Sequence, residues 1–390
     1  MAESVIKSYF PSQVVSDAEK ISYDYGLKVA KAIETEWFYQ DSNHSRYASN
    51  KNNFHNLRLY ARGEQSVQKY KDELSINGDL SYLNLDWTPV PIIPKFVDIV
   101  VNGLSERMFD IKAYSQDPFG VSKRTEYMET LLEDINMKTY NDYVSSTFGI
   151  DVSNSDQETL PASEEELDLH MQLTYKQGVE IAEEQALKVL MEGSNYELIK
   201  KRFYYDLTVL GIGAAKTNFN TSEGVTIDYV DPADLVYSYT ESPYFDDIYY
   251  VGEVKMIPIN ELAKQFPHLD HEDLEDIVKN KNYSQTNYAS GTNESDNNKV
   301  QVLYFNYKTY MNEVYKVKET GSGAEKAIEK DDSFNPPEDK EGNFTRLQRS
   351  IECLYEGALI LGTGKLLKWE MAKNMVRPKS DFTKVKMSYA

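Results

Sequence analysis

Apolar positions recur every three or four residues through the first third of the chain and every second residue through much of its last half. That pattern predicts helices first and strands later. Ser16-Asp17-Ala18-Glu19 sets a hydroxyl three residues ahead of a carboxylate, as in a capping box, and opens a helix toward Trp37 and Phe38. Polar residues over 41–53 interrupt it. A second helix is expected over about 57–70, closed by the turn Asn77-Gly78-Asp79. Proline fixes φ and disfavours helix in the residue before it, so Pro89, Pro91 and Pro94 hold 87–94 extended. Pro94 then suits the first turn of a helix over about 95–108.

The longest element is expected to start at Ser163, where Ser163-Glu164-Glu165-Glu166 is another capping box and the glutamates complement the positive end of the helix dipole. It runs to about 192, with Val179, Ala182, Ala186 and Val189 on one face. Gly193 stops it, and Ser194-Asn195-Tyr196-Glu197 caps a partner with the stripe Tyr196, Ile199, Phe203, Leu207 and Leu210, so the two read as a long helical hairpin. After Gly211 the period becomes two, predicting strands over 215–219, 225–230, 235–240 and 247–256. Short helices over 260–265 and 271–279 precede a polar linker over 281–299. Beyond it, strands are expected over 300–310 and 314–318 around a turn. A loop over 319–343 follows, then a hairpin of 347–355 with 358–361 across Glu356-Gly357. The fold class is therefore α+β, with a helical N-terminal part, a mixed middle and a β-rich end, and the linker over 281–299 is the best domain boundary.

Composition narrows what such a chain does. Its 390 residues exceed one ordinary domain, and 41 % hydrophobic with 27 % charged residues is globular rather than disordered. No apolar run approaches the roughly 20 residues of a membrane span. The N-terminus lacks signal-peptide architecture, and the lone Cys353 has no internal partner, so synthesis in a reducing cytoplasm is expected. The formal net charge is −21, the wrong sign for tight DNA binding over a broad face. Charge is uneven: 151–200 hold 12 acids and 3 bases, whereas 365–386 carry a net +5. The 30 tyrosines exceed what one modest core needs and fit either strand packing or extensive subunit contact.

Candidate chemistry is sparse. Gly211-Ile212-Gly213 follows a helix and leads into a strand, the reverse of a phosphate loop. His268-Leu269-Asp270-His271 fits an acidic helix start better than a metal site, and Asp151 to Asp156 lacks the sixth-position glycine of a calcium loop. No catalytic, cofactor or metal site is expected, and the chain is read as a non-enzyme.

Several stretches resemble tailed-bacteriophage portal proteins, the head-to-tail connectors, and are most like those of crAss-like phages. They are the run Arg58 to Gln65, the segment from Asp86 through Pro94 to Arg107, and the block Asp206 to Thr217 continuing through Val230-Asp231-Pro232 to Glu253. Gly357 to Lys365 is similar to the family's clip region. The resemblance implies a homo-oligomeric ring of about twelve subunits at one capsid vertex, set in the major capsid protein. Such a ring docks the terminase, passes double-stranded DNA without sequence specificity during packaging and ejection, and binds the tail adaptor protein. An acidic channel suits that passage, since it avoids the counterion-releasing contacts that would hold phosphates.

On this resemblance 1–115 is the N-terminal helical part of the wing, and 116–256 the wing with the long helical hairpin and strands. Residues 257–299 are stem-proximal helices and the linker, 300–372 the β-rich clip, and 373–390 a basic segment leading towards the stem. Lys365, Lys368 and Lys373 are candidates for contact with DNA or the docked motor, or else solvated surface. The expected location is the virion after synthesis in the host bacterial cytoplasm, with no membrane. Portals run on through a second stem helix, more wing and usually a crown; no signal for these follows the clip-like strands, so they are expected to be absent from this chain. A non-portal capsid or adaptor protein, and a metal-dependent nucleic-acid-processing enzyme, are the alternatives.

Overall fold

The computed structural model describes residues 9–38, 45–64, 66–75, 86–88, 90–107, 111–115, 117–150, 161, 163–220, 224–280, 299–319, 325–331, 334 and 344–390. Helices and sheet are both present, so the α+β class holds. Two units divide the chain, Met1–Glu106 with Leu198–Ala390 and, between them in sequence, Arg107–Glu197.

The larger unit begins with α1 (Asp17–Ile21) and α2 (Tyr23–Phe38), one expected helix broken at Ser22, whose hydroxyl donates to the Glu19 carbonyl at 2.6 Å. The break lets α1 dock on its own. The fully buried Lys20 donates to the Tyr310 carbonyl, and Asp17 accepts from the Asn312 amide at 3.0 Å. Next come α3 (Arg46–Arg62), α4 (Gln68–Leu74) and α5 (Ile93–Ser105). The polar stretch expected to break helix is therefore helical from Arg46, capped by Ser45. Gly63, at φ +74°, ends α3 earlier than expected. The turn at 77–79 lies outside the described residues.

The smaller unit is helical: α6 (Pro118–Phe148), α7 (Glu164–Leu173) and α8 (Gly178–Gly193). At 31 residues α6 is the longest helix among the described residues, about 46 Å at 1.5 Å per residue. The helix expected from Ser163 to 192 is two. Tyr175 leaves the helical path to stack on Tyr127, centroids 4.4 Å apart, beside the small core of Leu131, Leu167 and Met171. Glu180 then starts α8 afresh by accepting the Gln177 amide at 3.0 Å.

In the larger unit, α9 (Tyr196–Leu210) leads into a hairpin of β1 (Ala214–Asn220) and β2 (Gly224–Val230). The chain's end returns to this hairpin, where the Ala215 amide bonds the Ala390 carbonyl and the Ala390 amide the Ala215 carbonyl, both at 2.9 Å. The main sheet is antiparallel and six-stranded, built from β3 (Leu235–Tyr237), β4 (Tyr250–Pro258), β5 (Lys299–Glu319), β6 (Glu325–Lys330), β7 (Phe344–Ile360) and β8 (Lys365–Met371). Its order is β3-β4-β5-β7-β8, with β6 paired to the far end of β5.

Strand alternation divides β5 between two layers. Leu303, Phe305 and Tyr307 face α2, whose Val29, Ile33 and Trp37 complete the core with Tyr250 and Leu359. Val300 and Val302 face the other way, under Leu262 of α10 (Ile259–Gln265) and Ile277 of α11 (His271–Asn280). Glycine at 26 lets α2 lie against the sheet, since a Cβ there would come 2.3 Å from the Trp369 ring.

Three expectations about this sheet are corrected. β5 runs without a turn, because β7 pairs with it from Val302 to Lys318. Part of the expected loop over 319–343 is β6. Glu356-Gly357 is mid-strand in β7, opposite Asn306 and Phe305. A Cβ at position 357 would stand 2.2 Å from Phe305 Cζ, so this glycine serves close packing rather than a turn. The real hairpin is at 361–364, with Gly362 and Gly364 at positive φ and the Gly362 amide held by the buried Glu34 at 2.8 Å. The linker at 281–298 lies outside the described residues.

Candidate functional site

Lys365 and Lys368 sit on β8, carried there by pairing with Ile360 and Ala358 of β7. Lys365 is ion-paired to Asp273 of α11. Lys368 lies between Glu356 at 2.7 Å and Glu370 at 2.9 Å, two carboxylates that the register places opposite each other. Partial burial works against the charged amine of Lys368, but the two carboxylates outweigh it and raise its pKa above the usual lysine value. Lys373, beyond the strand, is exposed. The three lysines thus share one edge of the sheet but make no joint cluster, and two of them already neutralise acids.

The remaining sequence candidates resolve separately. Gly211, at φ +78°, ends α9, and Gly213 lies against the Phe203 ring, where a Cβ would come within 2.8 Å of it. These glycines follow α9 and lead into β1 rather than opening a helix, so they lack the strand–loop–helix order that aims amides at phosphate. His271 is exposed and 3.7 Å from Glu275. Asp151 to Asp156 lie outside the described residues. Among the described residues no cluster of three or more His, Cys, Asp or Glu could hold a metal ion, and no helix is long and apolar enough to cross a membrane.

The most connected polar site of the larger unit lies elsewhere. Arg58 of α3 grips Asp231, after β2, with two nitrogens at 2.7 and 3.0 Å and reaches Asp206 of α9 at 3.0 Å. Asp206 is 2 % exposed, and its second oxygen accepts the Tyr229 hydroxyl. Arg202 lies 4.0 Å over the Tyr229 ring. Asp231 also accepts the Ala233 amide at 2.9 Å, capping a single 3-10 turn at Pro232–Asp234, and Asp234 takes Tyr47 and Lys51, each at 2.8 Å. Burial would raise the Asp231 carboxyl, but the Arg58 fork and the Ala233 amide outweigh it and hold the pKa below the usual range. Burial and the neighbouring Asp206 push the Tyr229 phenol the other way.

Each carboxylate of this tie has a partner fixed within the chain. The tie escapes sequence reasoning because its members stand 148 and 173 positions apart, and a single Arg or Asp carries no pairing signal. Arg58 falls in one of the stretches quoted for the resemblance, and Asp206 and Asp231 fall in another.

No protein-family model matches the chain, and no curated protein matches it.

Proposed function

We propose that this chain is a subunit of a portal-type ring, a conduit for double-stranded DNA at a capsid vertex and a dock for the terminase and tail adaptor. One observation carries the assembly part of this reading. The smaller unit buries only Leu131, Leu167 and Met171 as apolar core among its described residues, while Met137, Tyr140, Tyr143, Phe148, Leu187 and Val189 are exposed. A core that small does not stabilise a unit of this length, and apolar surface on that scale marks contact with other chains. The aromatic content agrees, because tyrosine combines large contact area with a polar tip.

The portal identity rests on the resemblance, and the Arg58–Asp206–Asp231 tie agrees with it in joining two of the stretches concerned. Of the basic candidates, Lys373 is the one left for DNA or motor contact without breaking an ion pair described here; recruiting Lys365 or Lys368 would cost their carboxylate partners. Negative-stain microscopy of the purified chain tests the proposal. A closed ring of about twelve copies supports it, and a stable monomer rejects it.

A further inference from the structure

From Glu313 onward β5 pairs only with β6 and the first half of β7, forming a three-stranded antiparallel arm. Directly opposed residues in such a ladder share a face. Val314 opposes Lys330 and Gln348, Lys316 opposes Ile328 and Arg346, and Lys318 opposes Lys326. One face therefore carries Lys316, Lys318, Lys326, Lys330 and Arg346, and the register places no acid on it among the described side chains. The alternate positions turn the other way, where Glu313 is bonded to Arg349, Tyr315 opposes Glu329, and Glu325 lies two strand positions from Ala327. Acids dominate that second face. β6 is exposed along its whole length, as are 345–350 of β7.

Val314 in the middle of the basic face is buried and Arg346 donates to the Phe334 carbonyl at 2.9 Å, but both outer strands of the arm are exposed, and three strands of this kind are marginal by themselves. We propose that the arm is an interface between copies of this chain, the basic face of one arm packing on the acidic face of the next. The inference rests on the ring reading and names the surface that would carry it. A nucleic-acid duplex would answer the lysines but not Glu325 and Glu329 on the reverse. A second copy answers both, presenting acids to one face and bases to the other on strands of the same spacing, about 4.8 Å. Ile328 and Leu347, on opposite faces, add apolar area at each contact. Because the two surfaces differ, the contact is head to tail, the geometry that closes into rings.

The test is a charge swap read by native mass spectrometry and sedimentation. K326E/K330E puts two carboxylates on the basic face and E325K/E329K puts two ammonium groups on the acidic one, so in each variant alone like charges meet across the contact and assembly should be at least about tenfold weaker than for the unaltered chain. An equimolar mixture should regain assembly, because the two new carboxylates of one variant then meet the two new ammonium groups of the other, and recovery also shows that both variants fold. Raising salt from about 0.05 M to about 1 M should weaken the unaltered assembly. Assembly of K326E/K330E equal to the unaltered chain, or a mixture no better than either variant, overturns the proposal. So does normal assembly of K326E/K330E combined with loss of binding to duplex DNA, which would make the basic face a nucleic-acid site. An unaltered chain that stays monomeric rejects the ring reading itself, whereas a ring that tolerates K326E/K330E rejects only this interface.

Discussion

Arg58 decides whether Asp206 is a stabilising or a destabilising residue. With the guanidinium in place, the 2 %-exposed carboxylate is paired; without it, a buried charge is left uncompensated. Arg58→Ala should therefore cost about 3–5 kcal/mol in chemical denaturation. Arg58→Lys should recover only part of that, since one ammonium cannot hold two carboxylates as a fork does. Glu180 makes a second residue-level prediction. Burial opposes its charge, but the Gln177 and Ser115 amides and Arg124 outweigh burial and lower its pKa. A depressed carboxyl contributes stability above its unfolded pKa and loses it as pH falls through the folded value. The smaller unit should thus lose helical circular dichroism on acidification below about pH 4.5, and Glu180→Gln should flatten that dependence; an unchanged acid transition in the variant would refute it. Neither role is legible in the sequence, because Asp206 and Asp231 for Arg58, and Ser115 and Arg124 for Glu180, are brought in by tertiary contact.

Elements were legible where a strong apolar period coincides with one buried face. The stripe of α2 and the alternation of β4 and the first half of β5 point to the layers they form. α6 has no such stripe: its buried positions include Asp134 and Asn141, while Tyr140 and Tyr143 are exposed, so its periodicity is weak despite its length. Glycine misleads in the opposite direction. Glu356-Gly357 has the composition of a tight turn, yet Gly357 is needed where Phe305 crosses the strand. Gly357→Ala should cost about 1–3 kcal/mol through overpacking, and adding Phe305→Leu should return part of it. A neutral Gly357→Ala would show that the ring can move aside and that the close approach is not what selects glycine here.

At the scale of the whole molecule, charge and surface matter more than any single site. The −21 balance is not spread evenly: Lys365 and Lys368 on β8 meet acids within the chain, and the β5–β6–β7 arm sorts its charges by face. The counts alone carried the asymmetry but not its arrangement, which depends on strand register. Exposed tyrosines and the thin core of the smaller unit point the same way, toward surfaces completed by other chains. Native mass spectrometry of the purified chain, with negative-stain imaging of the same sample, decides whether the chain assembles as proposed. One closed ring of about twelve copies is expected; a chain that remains monomeric at every concentration tried would rule the ring out.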